Sequence, residues 1–311
     1  MDIAVIGCGV SGLSCAVRLL EERHKVTIIA RELPAGTTSS VAAALWYPYH
    51  AFPLERVIAW SLESLERYRG LMRRPGSGVV PVDLFELFRG EPPEPEWRDA
   101  LERFRRLDQQ ELPAGFESGF AVRVPLIETR LYLPWLKAWA ESLGATIEQR
   151  SVASLEELDA DAVVNCSGLG ARELCNDSDL HPVRGQVVRL SGGAIDRATV
   201  DDAPPHATYV IPRSEDIIVG TTVEPERWDT EPDPEATEDI LIRGTRLDQR
   251  ISSGEILEVK VGLRPARSGV RLEVEVIGDK RVVHNYGHGG SGFTLSWGCA
   301  DEVVRLIGRH S

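Results

Sequence analysis

The chain has 311 residues, enough to bury a large core and to divide into more than one domain. Acidic residues outnumber basic ones by 48 to 35, for a formal charge of −13, and the two signs are mixed along the chain rather than grouped in blocks. That distribution argues against nucleic acid or an anionic membrane as partner, and no apolar run reaches transmembrane length.

The apolar run 2–6 predicts a strand. The glycine turn Gly7-Cys8-Gly9-Val10-Ser11-Gly12 follows at once, then helical apolar spacing over 13–23 and a β-branched strand over 25–30. That order is a βαβ unit. With no basic leader and no cleavage-type ending, this apolar start is read as fold rather than signal peptide. Gly7 allows the tight turn, Gly9 lets backbone approach a pyrophosphate, and Gly12 permits close packing of helix on strand. Val10 and Ser11 lie in the same turn as expected cofactor contacts, and the helix N-terminus that follows offers N–H groups to phosphate. Glu32 is placed to bind ribose hydroxyls, and Arg31 beside it to hold a 2′-phosphate. At this point FAD, NAD and NADP all remain open.

Beyond the loop 31–49, amphipathic spacing predicts a helix over 54–72, followed by a strand over 76–88 and an exposed loop at GEPPEPEW. A helix is predicted over 131–143, with Trp135 and Trp139 one turn apart. A buried strand at 162–165 ends in Cys-Ser-Gly-Leu-Gly. From 183 to 261 strands alternate with turns, interrupted by a helical pattern over 237–249. A last strand over 281–285 leads into GHGGSGFTLSW, whose glycines precede a helix from about Phe293. Nucleotide-type segments thus lie at both ends and in the middle. The predicted fold is α/β, with a Rossmann-like dinucleotide domain built from 1–75, 131–182 and 265–311. A mixed or antiparallel-sheet substrate domain, 76–130 and 183–264, is inserted into it. The cysteines, Cys8, Cys15, Cys166, Cys175 and Cys299, are odd in number and form no Cys-x-x-Cys, so buried thiols in a reducing cytoplasm are expected.

The segments IGCGVSGLS, TTSSVAAALWYP (37–48), VVNCSG (163–168), YVIP (209–212), GLRPARSGVRLE (262–273) and VVHNYGHGGSGFTLSWGCA (282–300) occur in one order. In that order the chain resembles the D-amino-acid oxidase family end to end. The resemblance implies FAD as cofactor and oxidative deamination of D-amino acids to 2-oxo acids, ammonia and hydrogen peroxide. Hydride would pass from the substrate Cα to flavin N5 without an acid–base side chain. It places Arg264 on the substrate carboxylate through two parallel N–H bonds and beside the flavin. The Tyr209 hydroxyl would join the same carboxylate, the Gly290 carbonyl would accept from the amine, and Tyr47 would line the pocket. Implied cofactor contacts are Thr37, Thr38, Ala43, Ala44 and Leu45 in the first loop, and Val152, Ser167 and Gly168 in the middle segment. Gly289, Gly290, Gly292 and Thr294 complete them at the last turn. There, bare backbone lies flat against a planar ring, and a helix N-terminus favours negative charge on it. No metal is expected.

Pro205 stands where animal members of that family carry a lid tyrosine, which implies a more open pocket, as in microbial members. His284 and His288 are assigned to packing or hydrogen bonding, and Arg267 and Arg271 to structural or solvated positions. The alternatives are a D-aspartate oxidase using Arg213 as a second cation, a glycine or secondary-amine oxidase, an NAD(P) dehydrogenase using Arg31, and a non-enzymatic nucleotide-binding module. The expected partners are a small D-amino acid and O2, with room for a homodimer.

Overall fold

The computed structural model describes residues 1–48, 51–92, 94–101, 103–203 and 207–308; Pro205 lies outside them. In chain order the first elements are β1 Asp2–Ile6, α1 Val10–Glu21, β2 Lys25–Ala30, α2 Leu54–Leu71, β3 Val79–Phe88, β4 Arg105–Arg106 and β5 Ser118–Ile127. Next come α3 Thr129–Ser142, β6 Thr146–Gln149, β7 Ala162–Asn165, α4 Ala171–Leu174, β8 His181–Ser191, β9 Arg197–Asp201 and β10 Thr208–Pro212. The last are β11 Asp216–Gly220, β12 Glu224–Pro225, α5 Pro234–Leu247, β13 Ile256–Ala266, β14 Arg271–Ile277, β15 Lys280–Tyr286 and α6 Gly292–Gly308.

The chain divides into two units. The first comprises Met1–Val79, Thr129–Pro182 and Arg264–Ser311, and the second Val80–Glu128 and Val183–Leu263. Among the described residues, the first unit holds a six-stranded sheet in the order β14-β15-β7-β1-β2-β6. Its four pairings from β15 to β6 are all parallel: Val5 pairs with Ile28 on one side and Val164 on the other, β15 runs parallel to β7, and β2 to β6. Only β14 turns back antiparallel. Parallel strands are covered on both faces, which is why β7 (AVVN) is wholly apolar until its final asparagine. Helices α1 and α6 pack on one another beside this sheet.

The second unit is a mixed sheet in the order β12-β8-β11-β10-β9-β3-β5-β4, with β13 also on β8. Most pairs in it are antiparallel, and β3 with β9 is parallel. One face is covered by α5, where Val188, Leu190, Val210, Ile217 and Val219 meet Ile240 and Leu247.

Several element boundaries differ from the sequence pattern. Helix α1 starts at Val10, because Gly9 is still extended and caps it directly. Helix α5 starts at Pro234: the Asp233 carboxylate accepts from Glu235 N–H and Ala236 N–H, with proline at the first helical position. Strand β3 starts only at Val79, after a turn in which Gly76 and Gly78 hold positive φ. The apolar pattern does not single out β5, β6, β9 or β14. All five cysteines are free thiols, four of them buried. Among the described residues no helix is long and apolar enough to cross a membrane.

Candidate active site

The site of the first unit is built where β1 ends. Gly7 has φ +110°, and a Cβ there would fall 2.4 Å from the Cys166 carbonyl oxygen, so the turn leaving β7 lies directly beneath it. A Cβ on Gly12 would fall 2.0 Å from the Gly7 oxygen, so α1 begins in contact with its own turn. Both positions need glycine because backbone meets backbone. At the helix start, Val10 N–H donates to Ser39 Oγ at 3.0 Å, and a Cβ on Gly9 would sit 3.0 Å from that same oxygen. Thr37 Oγ1 donates to Pro34 O at 2.7 Å and holds the loop in place. Ser39 was not singled out by the sequence: TTSS offers four adjacent hydroxyls, and only the turn geometry selects one.

Helix α6 brings a second N-terminus to the same place. A Cβ on Gly292 would lie 3.8 Å from Val10 Cγ1. Neither α1 nor α6 carries an acidic residue in its first turn, in a chain with 48 acids. Two positive helix ends left without local negative charge are suited to an anionic ligand. Thr294 Oγ1, in the first turn of α6, donates to Tyr47 O at 2.8 Å and lies 3.1 Å from Tyr47 N. That side chain joins the 37–48 loop to α6. Ser167 Oγ and N–H both donate to Asn165 Oδ1, at 2.6 and 3.2 Å, shaping the turn into Gly168. Gly168 has φ +58° with open space beside it, and Gly290 is exposed. Gly289 N–H donates to Pro265 O at 2.9 Å, which sets the half-buried Arg264 next to the glycine turn.

Other predicted contacts lie as follows. Arg31 and Glu32 are exposed just beyond β2, 3.6 Å apart. Val152 packs on the apolar cluster of Ile6, Ile29 and Val163. Ala43 and Ala44 are buried, and Thr129 Oγ1 donates to Ala42 O at 3.2 Å. The Trp46 ring points into the fold, donating to Ser61 O at 2.8 Å. Tyr209 belongs to the second unit, half-buried on β10. Arg267 and Arg271 are engaged with Asp177, Tyr286 and Glu273, as structural residues should be.

The two histidines also hold structure. His288 is buried, its Nε2 donates to Asn285 Oδ1 at 3.0 Å, and burial lowers its pKa to about 4. His284 is lowered by burial first and by Arg271 second, with Nε2 2.9 Å from Glu275. Both stay neutral near pH 7. Burial raises the Cys8 thiol to about 11, so it is no nucleophile.

A glycine-lined turn, two acid-free helix ends and open backbone at Gly168 and Gly290 fit a dinucleotide bearing a planar ring system. They define a dinucleotide-binding enzyme of the Rossmann-like class. The chain belongs to the FAD dependent oxidoreductase (DAO) family, whose pattern matches residues 2–306. A D-amino-acid oxidase of Rubrobacter xylanophilus is 48% identical, covering 98% of this chain and 95% of the relative. A D-aspartate oxidase of Homo sapiens is 35% identical, covering 98% and 94%. Glycine oxidase from Geobacillus kaustophilus shares the fold, with a TM-score of 0.83 at 20% identity over 100% of this chain and 95% of that one. The cofactor is therefore FAD, and the NADP reading of Arg31 falls away.

Proposed function

We propose that the chain is a D-amino-acid oxidase, converting a D-amino acid, O2 and water to a 2-oxo acid, ammonia and hydrogen peroxide. The observation that carries this reading is the Gly289 N–H to Pro265 O bond, which holds Arg264 beside the entrance of α6. When bound, FAD accepts the two electrons that leave with the Cα hydrogen and passes them to oxygen.

The chain's own residues bind and orient. Arg264 offers the substrate carboxylate two parallel N–H donors, which fixes its plane as well as its position. The Tyr209 hydroxyl donates to the same carboxylate, and the Gly290 carbonyl accepts from the amine. With both groups held, one enantiomer presents its Cα hydrogen and the other does not. Tyr47, fixed at its backbone by Thr294, lines the pocket. The N-terminus of α6, with no acidic residue in its first turn, would favour negative charge on a cofactor held against it. The free thiols fit a cytoplasmic enzyme.

The D-aspartate reading needs a second cation. Arg213 is 4% exposed, with its guanidinium forked onto Asp216 at 2.6 and 2.8 Å. The proposal therefore favours neutral side chains. Peroxide formation is measured with D-alanine, L-alanine and D-aspartate on the yellow, FAD-loaded protein. D-alanine should react fastest and L-alanine not at all. No peroxide from any D-amino acid would reject the reading.

A further inference from the structure

Tyr209 and Gly220 stand directly opposite one another in the antiparallel register of β10 and β11. The phenol ring lies on the glycine: a Cβ at position 220 would fall 2.3 Å from Tyr209 Cζ and 2.5 Å from its hydroxyl oxygen. Those distances are far inside the ~3.5–4.0 Å of ordinary contact. Any other residue at 220 would push the ring off its place. A glycine inside a strand weakens it, so the absence of a side chain here has to serve the close approach.

The opposite face of the same strand pair is equally constrained. A Cβ on Gly244 of α5 would lie 2.4 Å from Val219 Cγ1, so the helix rests on the strand at that point. The approach brings Arg243 to the ends of both strands. Its guanidinium donates to Ala207 O at 3.0 Å and to Thr208 Oγ1 on one side, and to Thr221 O at 3.0 Å on the other. Asp239 takes Nε at 2.8 Å, and Thr221 N–H donates to Ala207 O at 3.3 Å. The bonded residues immediately precede Tyr209 and immediately follow Gly220. Arg243 is thus tied across the very pair that carries the phenol.

We infer that Gly220 is the seat of the Tyr209 ring and Arg243 the clamp on its strands, so that both are positioning residues for the Tyr209 hydroxyl. The inference rests on the proposed contact between Tyr209 and the substrate carboxylate. The hydroxyl is at the far end of a rigid ring, where a small tilt of the strand or displacement of the ring has its largest effect. A donor moved off its acceptor loses most of its strength while the fold survives.

Steady-state kinetics with D-alanine on the FAD-loaded enzyme test it. Tyr209→Phe calibrates the hydroxyl, with KM expected to rise about tenfold. Gly220→Ala should raise KM by a similar factor while kcat changes less than about threefold and the flavin spectrum is kept. In a Tyr209→Ala background the same Gly220→Ala change should alter KM less than about twofold, because no ring remains to be displaced. Arg243→Gln should raise KM about fivefold, and Arg243→Lys should recover part of it. An unaltered KM in Gly220→Ala, or an equal loss in both backgrounds, overturns the seat. An unaltered KM in Arg243→Gln overturns the clamp, and this arm stands even where Gly220→Ala does not fold. A wild-type KM in Tyr209→Phe removes Tyr209 from substrate binding, which rejects the underlying contact rather than the mount alone.

Discussion

At Gly12 of the first unit an added Cβ would meet the Gly7 carbonyl oxygen at 2.0 Å, whereas at Gly220 of the second it would meet the Tyr209 ring at 2.3 Å. The carbonyl belongs to a turn fixed by Gly7 N–H on Ile29 O at 2.9 Å and has nowhere to retreat. The phenol can swing on its side-chain torsions. One glycine therefore protects the architecture of a binding turn, and the other protects only the aim of a side chain. The same residue type should give opposite phenotypes: loss of the cofactor in the first unit, and loss of substrate affinity with the cofactor retained in the second.

The contrast breaks most visibly at Gly12. Gly12→Ala is expected to destabilise by about 4 kcal/mol or more and to yield protein without FAD; a yellow, stable variant would show that the turn yields after all. Arg264→Ala should keep its FAD and raise the KM for D-alanine about a hundredfold to a thousandfold, with Arg264→Lys recovering only part because the fork is lost. An unchanged KM would take Arg264 out of the site.

The next largest effect is one of pH. His288 has a folded pKa of about 4, below the ordinary value near 6.5, so the unfolded chain binds a proton that the folded one does not. Stability is full above about pH 6.5 and declines as pH falls toward 4, by an amount on the order of 3 kcal/mol. His284, lowered in the same direction, adds to it. Thermal melts of the wild type and His288→Asn across that window should show a flatter profile for the variant, placing the acid-sensitive step in the first unit. Parallel profiles would contradict it. Ser39→Ala has the smallest effect, about 1 kcal/mol of melting stability, from the lost acceptor of Val10 N–H; it sharpens the contrast by touching the same turn without a steric clash.

The βαβ start was legible because strand, glycine spacing and helical period occur in immediate succession, and β1 and β2 lie where the pattern puts them. Strand β5 was not legible: SGFAVRVPLI is buried at eight of its ten positions, so it lacks the alternation that marks a half-exposed strand, and Pro125 breaks the run. Strand β14 alternates well, but its glutamates and exposed valines sit on a sheet edge that sequence alone does not locate. The motif residues could be named in advance, yet their supports could not. Ser39 and Pro265 act through bonds to neighbours distant in sequence, and Asn165 through a turn onto Ser167 that only the folded backbone defines. The pairing of Tyr209 with Gly220 had one usable signal, the short Arg213–Asp216 turn, which sets the hairpin register.

The first unit draws its strands from three stretches of chain, and β15 and α6 come from the last of them. During synthesis β1, β2 and β7 therefore emerge long before the neighbour that completes β7's far side. Until residues near 290 leave the ribosome, the second helix N-terminus of this unit does not exist, and an apolar strand edge waits uncovered. Such distant pairing slows folding and exposes the nascent chain to aggregation. Recombinant yield should accordingly rise with slower translation and added chaperone.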